Sequence, residues 1–393
     1  MAGSFPTLKS GNTVFYPLVE GHSFGTGVHR FLDDSEQRWR NRLSLRRFVL
    51  TCNDINAYDV SSIRTFFRSQ AGQFDNGWDI TIGGVTYSNM AFDQDNFPIV
   101  ENKRNRMGLT FQVVQTKSSN PTIPTAYTYF PQILSQGVTT SLPYETGLSY
   151  RTVFEDMENG KRYSYKWRTN PLGQFTVNLP LMTGAEVAKL RDFIYACEGR
   201  LREFIFLDPG GNLVNYSDDF SHASWGNTAV TVGGSVTDPY GGTQARLCTA
   251  TSSNSLLFST VLPVGNALGM VLCASVWARA LSSGQSLSIG FVDSGFSVLG
   301  NSIWPLTQNQ WIRIHHTINL ATNSSIRMLI GGLGTSIQLF SAQCVPMPGP
   351  GPRLLTPGAD ALRSKCRLGT DEISITNSGV NQFSATIPIE EYS

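Results

Sequence analysis

Side chains able to do chemistry are sparse in this 393-residue chain, and most of the distinctive ones fall in one stretch. Trp225, Trp277, Trp304 and Trp311 all lie there. An aromatic face packs on the C–H surface of a pyranose, so sugar stacking is one use for them, and core packing is the other. Trp304, in GNSIWPL, reads as a loop aromatic between two strands, with Tyr240, Phe291 and Phe296 as further stacking candidates. Asp218, Asp219 and Asp238 offer the hard oxygens that a structural Ca²⁺ takes, and they suit turns equally well. No other cofactor is suggested. His315-His316 has no spaced third ligand and no HExxH arrangement, and neighbours on a strand point to opposite faces. Asp33-Asp34 and Glu390-Glu391 read as solvated surface. Nothing assembles into a catalytic constellation, and the chain reads as a non-enzyme.

Arg38, Arg40, Arg42, Arg46 and Arg47 are the one strong charge cluster. They could meet nucleic acid or the acidic residues of a neighbouring subunit. A net charge of +1 favours the subunit, with no specific nucleic acid. Charged residues make up 15% of the chain, against a typical value of about 25%, and glycines number 37, which suits β-rich domains with many turns. The six cysteines are scattered with no CxxC, so buried free thiols are expected rather than a zinc site or a disulfide framework. The opening MAGSFPTLKSG has no basic start followed by an apolar run, so no signal peptide is expected. The longest apolar run, from Ala267 to Trp277, is far below the ~18 residues of a membrane span.

The elements that must position these residues include one segment present twice. At an offset of 175 − 48 = 127 positions, Phe48, Val60, Ile63, Arg64, Phe66 and Gly72 fall on Phe175, Val187, Leu190, Arg191, Phe193 and Gly199. Each copy reads as strand, polar cap, amphipathic helix and glycine stop. In the first, a period-two strand carries Arg38–Arg42 on one face, a turn begins at Asn53 or Asp54, and a helix runs from about Tyr58 to Gln70. A Gly83-Gly84 hairpin and a strand ending near Gln115 follow. In the second, Thr183 and Glu186 predict a capping box.

The second copy stops near Asp208-Pro209-Gly210-Gly211 and resumes at the far end, where Phe383, Ala385, Ile387 and Ile389 match Met107, Leu109, Phe111 and Val113 in pattern. The intervening residues are therefore an insert, placed where the first copy has its Gly-Gly turn, a site that tolerates insertion. Short alternating runs such as MVLCASVWARA and SLSIGFV predict a β-sandwich there. The expected division is a first domain at 1–117, a linker at 118–131 and a second domain at 132–214 and 363–393. The insert is expected at 215–345, with a Pro/Gly linker at 346–362.

The duplicated unit resembles the distal tail protein family of long-tailed phages and gene transfer agents. The resemblance rests on Arg64-Thr65-Phe66-Phe67 with Gly72, and on Arg191-Asp192-Phe193-Ile194 with Gly199 and Phe206-Leu207-Asp208-Pro209. The first copy lacks the Asp-Pro. The insert resembles the carbohydrate-binding β-sandwiches appended to phage tail proteins and glycoside hydrolases. That likeness is carried by Tyr216–Trp225, Asp238–Arg246, Ala274–Ala280, Gln310–Arg313 and Leu339–Gln343. It implies that Trp225, Trp277 and Trp311 are framework positions and leaves Trp304 as the binding aromatic.

Together the resemblances imply a mainly β (α+β) chain with two tandem tail-tube-type β domains and an inserted jelly-roll β-sandwich. They imply a virion protein of a phage tail tip or baseplate, assembled in the host cytoplasm. Its expected partners are copies of itself in a ring, the tail tube protein, hub or tip proteins, and a host cell-surface glycan, with no membrane. The ring is either a trimer with pseudo-six-fold symmetry, which the two kept helix stripes favour slightly, or a hexamer. A glycan-degrading tail enzyme is the alternative, and it requires two carboxylates about 5–9.5 Å apart. The insert has no Glu and only four Asp (Asp218, Asp219, Asp238 and Asp293). A tail hub protein without sugar binding is a further alternative, and a free-standing secreted lectin is opposed by the missing signal peptide.

Overall fold

Phe48, Leu50 and Cys52 are spaced at two, the period of a strand, and all three are buried. They lie on β2 (Glu36–Ile55), which pairs antiparallel with β1 (Phe15–Arg30). A computed structural model of the chain describes residues 3–9, 15–31, 35–72, 77–103, 106–117, 127–141, 144–150, 152–158, 160–166, 171–264, 269–320, 325–333, 336–351, 358 and 360–392. They form two compact units, one of Met1–Ala126, Ser141–Glu203 and Arg367–Ser393, the other of Tyr127–Thr140 and Phe204–Cys366. The chain is mainly β, with two helices among the described residues.

After β2, Asn56 caps α1 (Ala57–Ser69) by accepting the Asp59 N–H at 2.9 Å. The helix starts one residue before the expected Tyr58, after β2 ends at Ile55. Val60 and Ile63 are buried, and Phe66 and Phe67 pack at the margin of the same core. The helix stop begins at Ala71, which shares left-handed φ with Gly72 (49° and 66°). Next come β3 (Trp78–Ile82) and β4 (Val85–Phe92). The turn between them has φ of 58° at Gly83 and 82° at Gly84, a primed geometry that a side chain resists. β5 (Val100–Lys103) and β6 (Arg106–Gln115) complete this copy, with β6 pairing β2, β4 and β5. Phe5, Phe66, Trp78, Phe92 and Phe111 fill the core with ring centroids 5.0 to 6.0 Å apart.

The second copy opens with β7 (Glu145–Ser149), β8 (Thr152–Asp156), β9 (Arg162–Lys166) and β10 (Leu172–Met182). β8 and β9 pair with each other, while β7 pairs β10. α2 (Gly184–Cys197) has the capping box, with Thr183 N–H donating to the Glu186 carboxylate at 2.7 Å. Val187, Leu190, Phe193 and Ile194 are buried. β11 (Phe204–Leu207) follows.

The insert then runs through β12 (Trp225–Thr228), β13 (Val230–Val236), β14 (Ala245–Ala250), β15 (Leu256–Ser259) and β16 (Val271–Ala280). It continues with β17 (Ser286–Val292), β18 (Val298–Pro305), β19 (Ile312–Asn319), β20 (Arg327–Gly331) and β21 (Ile337–Val345). One sheet has the order β12-β15-β20-β17-β18, the other β13-β14-β21-β16-β19. From β14 to β21 the chain weaves between the sheets as β14-β21-β16-β19 over β15-β20-β17-β18, the double Greek key of a jelly roll. Leu272, Val276, Ile289, Phe291, Ile330 and Leu339 are among the residues between the sheets. Fully burying each such side chain contributes about 1.5–3 kcal/mol.

The chain returns through β22 (Leu362–Leu368), β23 (Glu372–Gly379) and β24 (Gln382–Glu391). β24 pairs β10 and β23, and β23 pairs β1, so the two copies share one sheet. Phe48, Leu50 and Cys52 face Val113, Phe111 and Leu109 across the β2–β6 ladder. Phe175, Val177 and Leu179 face Ile389, Ile387 and Ala385 across β10–β24. The register is therefore repeated residue for residue. The first offset is 127 and the second is 389 − 113 = 276, so 149 extra residues lie in the second copy.

The unit boundaries differ from the expected ones at Tyr127–Thr140, 204–214 and 363–366, which belong with the sandwich unit, and the two expected tandem domains fall in one unit. Phe130 is buried against Phe204 and Phe206. The Gln132 side chain accepts the Val271 N–H at 2.6 Å and donates to the Pro346 carbonyl at 3.2 Å. Residues 118–126 of the expected linker, and 352–357 and 359 of the Pro/Gly segment, lie outside the described residues. All six cysteines are free and buried. No helix among the described residues is long and apolar enough to cross a membrane.

Candidate functional site

The four stacking candidates divide by the face of the strand or loop that carries them. Phe291 is fully buried with Leu287 and Ile289 on the inward side of β17, so it cannot stack on a ligand. Trp304 is not in a loop. It lies in β18 with its ring packed on the sandwich core, and its indole N–H donates to the His315 carbonyl at 2.9 Å. The exposed position is its neighbour Ile303, 69% accessible, because a strand turns alternate residues outward. Tyr240 and Phe296 are exposed, at 59% and 46%. Phe296 sits in the β17–β18 turn, edge-on to Phe258 at 4.8 Å, with the Arg327 guanidinium 5.4 Å from its ring.

Tyr240 belongs to a more elaborate surface. On β16, Ala274, Val276 and Ala278 turn inward to the core, so Ser275 and Trp277 turn outward. Trp277 stands opposite Arg313 of β19 on one side and Phe340 of β21 on the other. Tyr240 lies edge-on to Trp277 at 6.1 Å and is 6.2 Å from Phe340. In the next row the Arg313 guanidinium donates to Ser275 Oγ at 3.0 Å and to the Gln343 side-chain oxygen. The result is an aromatic shelf beside a guanidinium that the buried Ser275 and Gln343 side chains hold in place. Burial pushes the Arg313 pKa down, and its Nε is buried without an acceptor. Trp225, by contrast, is buried with its indole N–H on the Tyr216 carbonyl at 3.0 Å. Trp277, expected as framework with Trp225, is only half-buried on the outer face of its strand. The outward parity of VLCASVWARA, with small residues at 274 and 278 on the other parity, was the signal that separates them.

The carboxylates of Asp219 and Asp238 are engaged in local turns. Asp238 is buried and its carboxylate accepts the N–H groups of Tyr240 and Gly242, at 2.8 and 3.1 Å, holding the turn that presents Tyr240. Asp219 accepts the Ser221 N–H and pairs with Arg246 at 3.1 Å. The Ser221 hydroxyl bond, its N–H and the Arg246 charge hold its carboxyl below the usual range. Among the described residues no three His, Cys, Asp or Glu side chains converge as metal ligands.

Three arginines of the cluster find acids within the same chain. Arg38 pairs with Glu36 and Arg40 with Glu198, and Arg47 lies 2.9 Å from Asp93. Arg46 Nε donates to the Tyr195 hydroxyl at 2.9 Å. That hydroxyl also meets His22 Nδ1 at 3.0 Å, and His22 Nε2 lies 3.3 Å from the buried Glu20 carboxylate. Arg191 of α2 closes the group on Glu20. This network joins α2 of the second copy to β1 of the first. His316 bonds the Ser302 hydroxyl at 2.8 Å and burial lowers its pKa. Asp33 and Asp34 lie outside the described residues.

No family model matches the chain, and no curated protein matches it. Solved structures that resemble part of it include the enzymatically active domain of bacteriophage CBA120 tailspike protein 4. That match is 13% identical with a TM-score of 0.27, over 35% of this chain and 21% of that one. The CBM22-1 xylan-binding domain from Paenibacillus barcinonensis is 15% identical with a TM-score of 0.27, over 38% of this chain and 97% of that one. The family 22 carbohydrate-binding module of a Clostridium thermocellum protein is 15% identical with a TM-score of 0.28, over 35% and 96%. This chain spans about a fifth of the tailspike domain's length and about a quarter of an α-L-arabinofuranosidase that it also resembles.

Proposed function

We propose that this chain is a structural component of a phage tail tip, similar to distal tail proteins, and that its jelly roll attaches to glycans on the host surface. The observation that carries the binding half is the outward shelf of Tyr240 and Trp277 beside Arg313 and Gln343. Exposed Tyr240 with half-buried Trp277 supplies a stacking face, and the adjacent Arg313 guanidinium supplies hydrogen bonds to hydroxyls. The structural half rests on the duplicated β module and on the family likeness of its helix motifs. On this reading the module forms a ring of its own copies between the tail tube protein and the hub or tip proteins, in the virion. Three chains would supply six modules, and six chains are the other way to reach six-fold symmetry. Repeating a weak site around such a ring raises avidity by about 10²–10⁴.

The reading is non-enzymatic. Asp219 and Asp238 spend their carboxylates on local turns, and so does Asp293, which accepts the Gly295 and Ser297 N–H groups at 2.8 Å. A glycan array probed with the intact protein tests the attachment role. Tyr240→Ala should weaken any glycan bound by about 1–2 kcal/mol, the scale of one stacking contact with its burial. An array silent at millimolar protein, or binding that survives Tyr240→Ala unchanged, removes this surface from the function. Mass photometry of the assembled particle reads three against six chains.

A further inference from the structure

The duplicated unit holds a recess of about 240 Å³ lined by Arg30, Arg38, Arg200 and Arg367, with Glu36 and Glu390 among its acids. Its charges are not matched one to one. Glu36 alone is shared by Arg30, Arg38 and Arg367. Glu391 also lines the recess, but its carboxylate accepts the Gly173 N–H at 2.9 Å. Glu390 is 4.0 Å from Arg200, beyond hydrogen-bond reach, and is 41% exposed. Four guanidinium groups line the recess with three carboxylates, one of them turned to a backbone amide, and a fourth acid, Glu203, lies 3.8 Å from Arg367 outside the lining.

Two donors are left over. Among the described residues, the Nε atoms of Arg200 and Arg367 are buried with no acceptor. The Arg367 side chain is only 14% exposed, and its guanidinium lies 3.8 Å over the Tyr392 ring, which fixes its plane. Burial and the Arg38 and Arg200 charges push the Arg367 pKa down, against the opposing pull of Glu36 and Glu203. A buried guanidinium donor without an acceptor is costly, and a charge-assisted hydrogen bond removes that cost. The recess is smaller than the ~300–1,000 Å³ of sites for drug-sized ligands, so it fits a single group rather than an extended chain.

We infer that this recess binds one tetrahedral oxyanion of the phosphate class, free or carried on a sugar, with Arg200 and Arg367 as the principal donors and Arg30 at the rim. Three guanidinium groups approaching from different elements suit three oxygens of a tetrahedral anion better than the two of a planar carboxylate. The site owes nothing to the glycan-binding reading.

Calorimetry of the intact protein with inorganic phosphate, at ionic strength held constant with chloride, tests it. Saturable binding is expected, and Arg200→Gln should weaken it about tenfold or more, the effect of one hydrogen bond to a charged group. Arg200→Gln should leave the unfolding midpoint in chloride unchanged, because its guanidinium makes no hydrogen bond within range. If that variant does not fold, Arg30→Gln, at the exposed rim, serves in its place with the same expected loss. Arg162→Gln on the β8–β9 hairpin should bind as the parent does. Glucose 6-phosphate binding more tightly than phosphate assigns a sugar-borne source, and equal or weaker binding assigns the free ion. Heats no larger than with chloride, an Arg200→Gln protein that binds like the parent, or acetate binding as tightly as phosphate overturns the inference.

Discussion

Glu20 is the group whose perturbation best tests how the two copies hold together. It is 6% exposed on β1 of the first copy and is bound by His22 and by Arg191 of α2 in the second. Burial by itself raises the carboxyl pKa. The His22 hydrogen bond and the His22, Arg191 and Arg46 charges outweigh burial and hold it at about 2, against an ordinary 4.5. A folded pKa below the unfolded one means that ionised Glu20 stabilises the fold above pH 4.5, and that this stability is lost as pH falls towards 2. The difference corresponds to about 3 kcal/mol at pH 7, of which about 2 kcal/mol is gone by pH 3. Glu20→Gln removes the ionised form at every pH and leaves His22 and Arg191 without their acid. Native-state hydrogen exchange of the α2 amides reports this unit separately from the sandwich. The variant should lose about 3 kcal/mol or more of protection at pH 7, and the gap to the parent should narrow to about 1 kcal/mol at pH 3. A gap that stays constant between the two pH values would show that the carboxylate charge is not what couples the copies.

Phe291→Ala should lower the stability of the sandwich by about 3–5 kcal/mol in urea unfolding, since the ring is fully buried, whereas exposed Phe296→Ala should change it by less than about 1 kcal/mol. Similar costs for the two would contradict the inward placement of Phe291. Leu207 and Leu362 are register partners on β11 and β22, as Ile82 and Val85 are around Gly83-Gly84. Replacing residues 208–361 by Gly-Gly should therefore leave a soluble protein whose α2 amides keep their protection; loss of that protection would refute the hairpin equivalence. Burial pushes the Cys52 and Cys248 thiols up to about 12, helped at Cys52 by the Asp59 charge. A thiol-titrating disulfide reagent at pH 8 should therefore react with them only after unfolding, and rapid labelling of the native protein would rule out that burial.

Much of the architecture was legible because it depends on short-range periodicity. The repeat at Phe48 and Phe175, the Thr183–Glu186 capping box and the Gly83-Gly84 turn are local patterns with local causes, and the structure carries each of them. Periodicity fixes which residues share a face but not which face is the inner one. Sequence alone therefore leaves Phe291 and Trp304 as stacking candidates and Trp277 as framework: parity is readable, and its sign is set by the partner sheet. Partners distant in sequence were out of reach for the same reason. Arg40 with Glu198 and Arg191 with Glu20 meet only after the two copies pack. Residues that favour calcium also favour turns, so the sequence leaves both open for the aspartates, and in the structure Asp238 has both oxygens on backbone amides.

The insertion has a consequence for the order in which the molecule can fold. In the first copy the central ladder joins Phe48 to Val113, a separation of 113 − 48 = 65 residues. In the second, Phe175 meets Ile389 across 389 − 175 = 214. If the intervening chain were still unfolded, closing the longer loop would cost about 1 kcal/mol more than the shorter one. Once the jelly roll has folded, β11 and β22 leave it as paired neighbours and that extra length no longer counts. During synthesis the first copy can therefore complete its ladder while the sandwich is still emerging, and the second must keep the buried face of β10 uncovered until β24 arrives. The waiting strand, with Phe175, Val177 and Leu179 in view, is where premature association between nascent chains would begin.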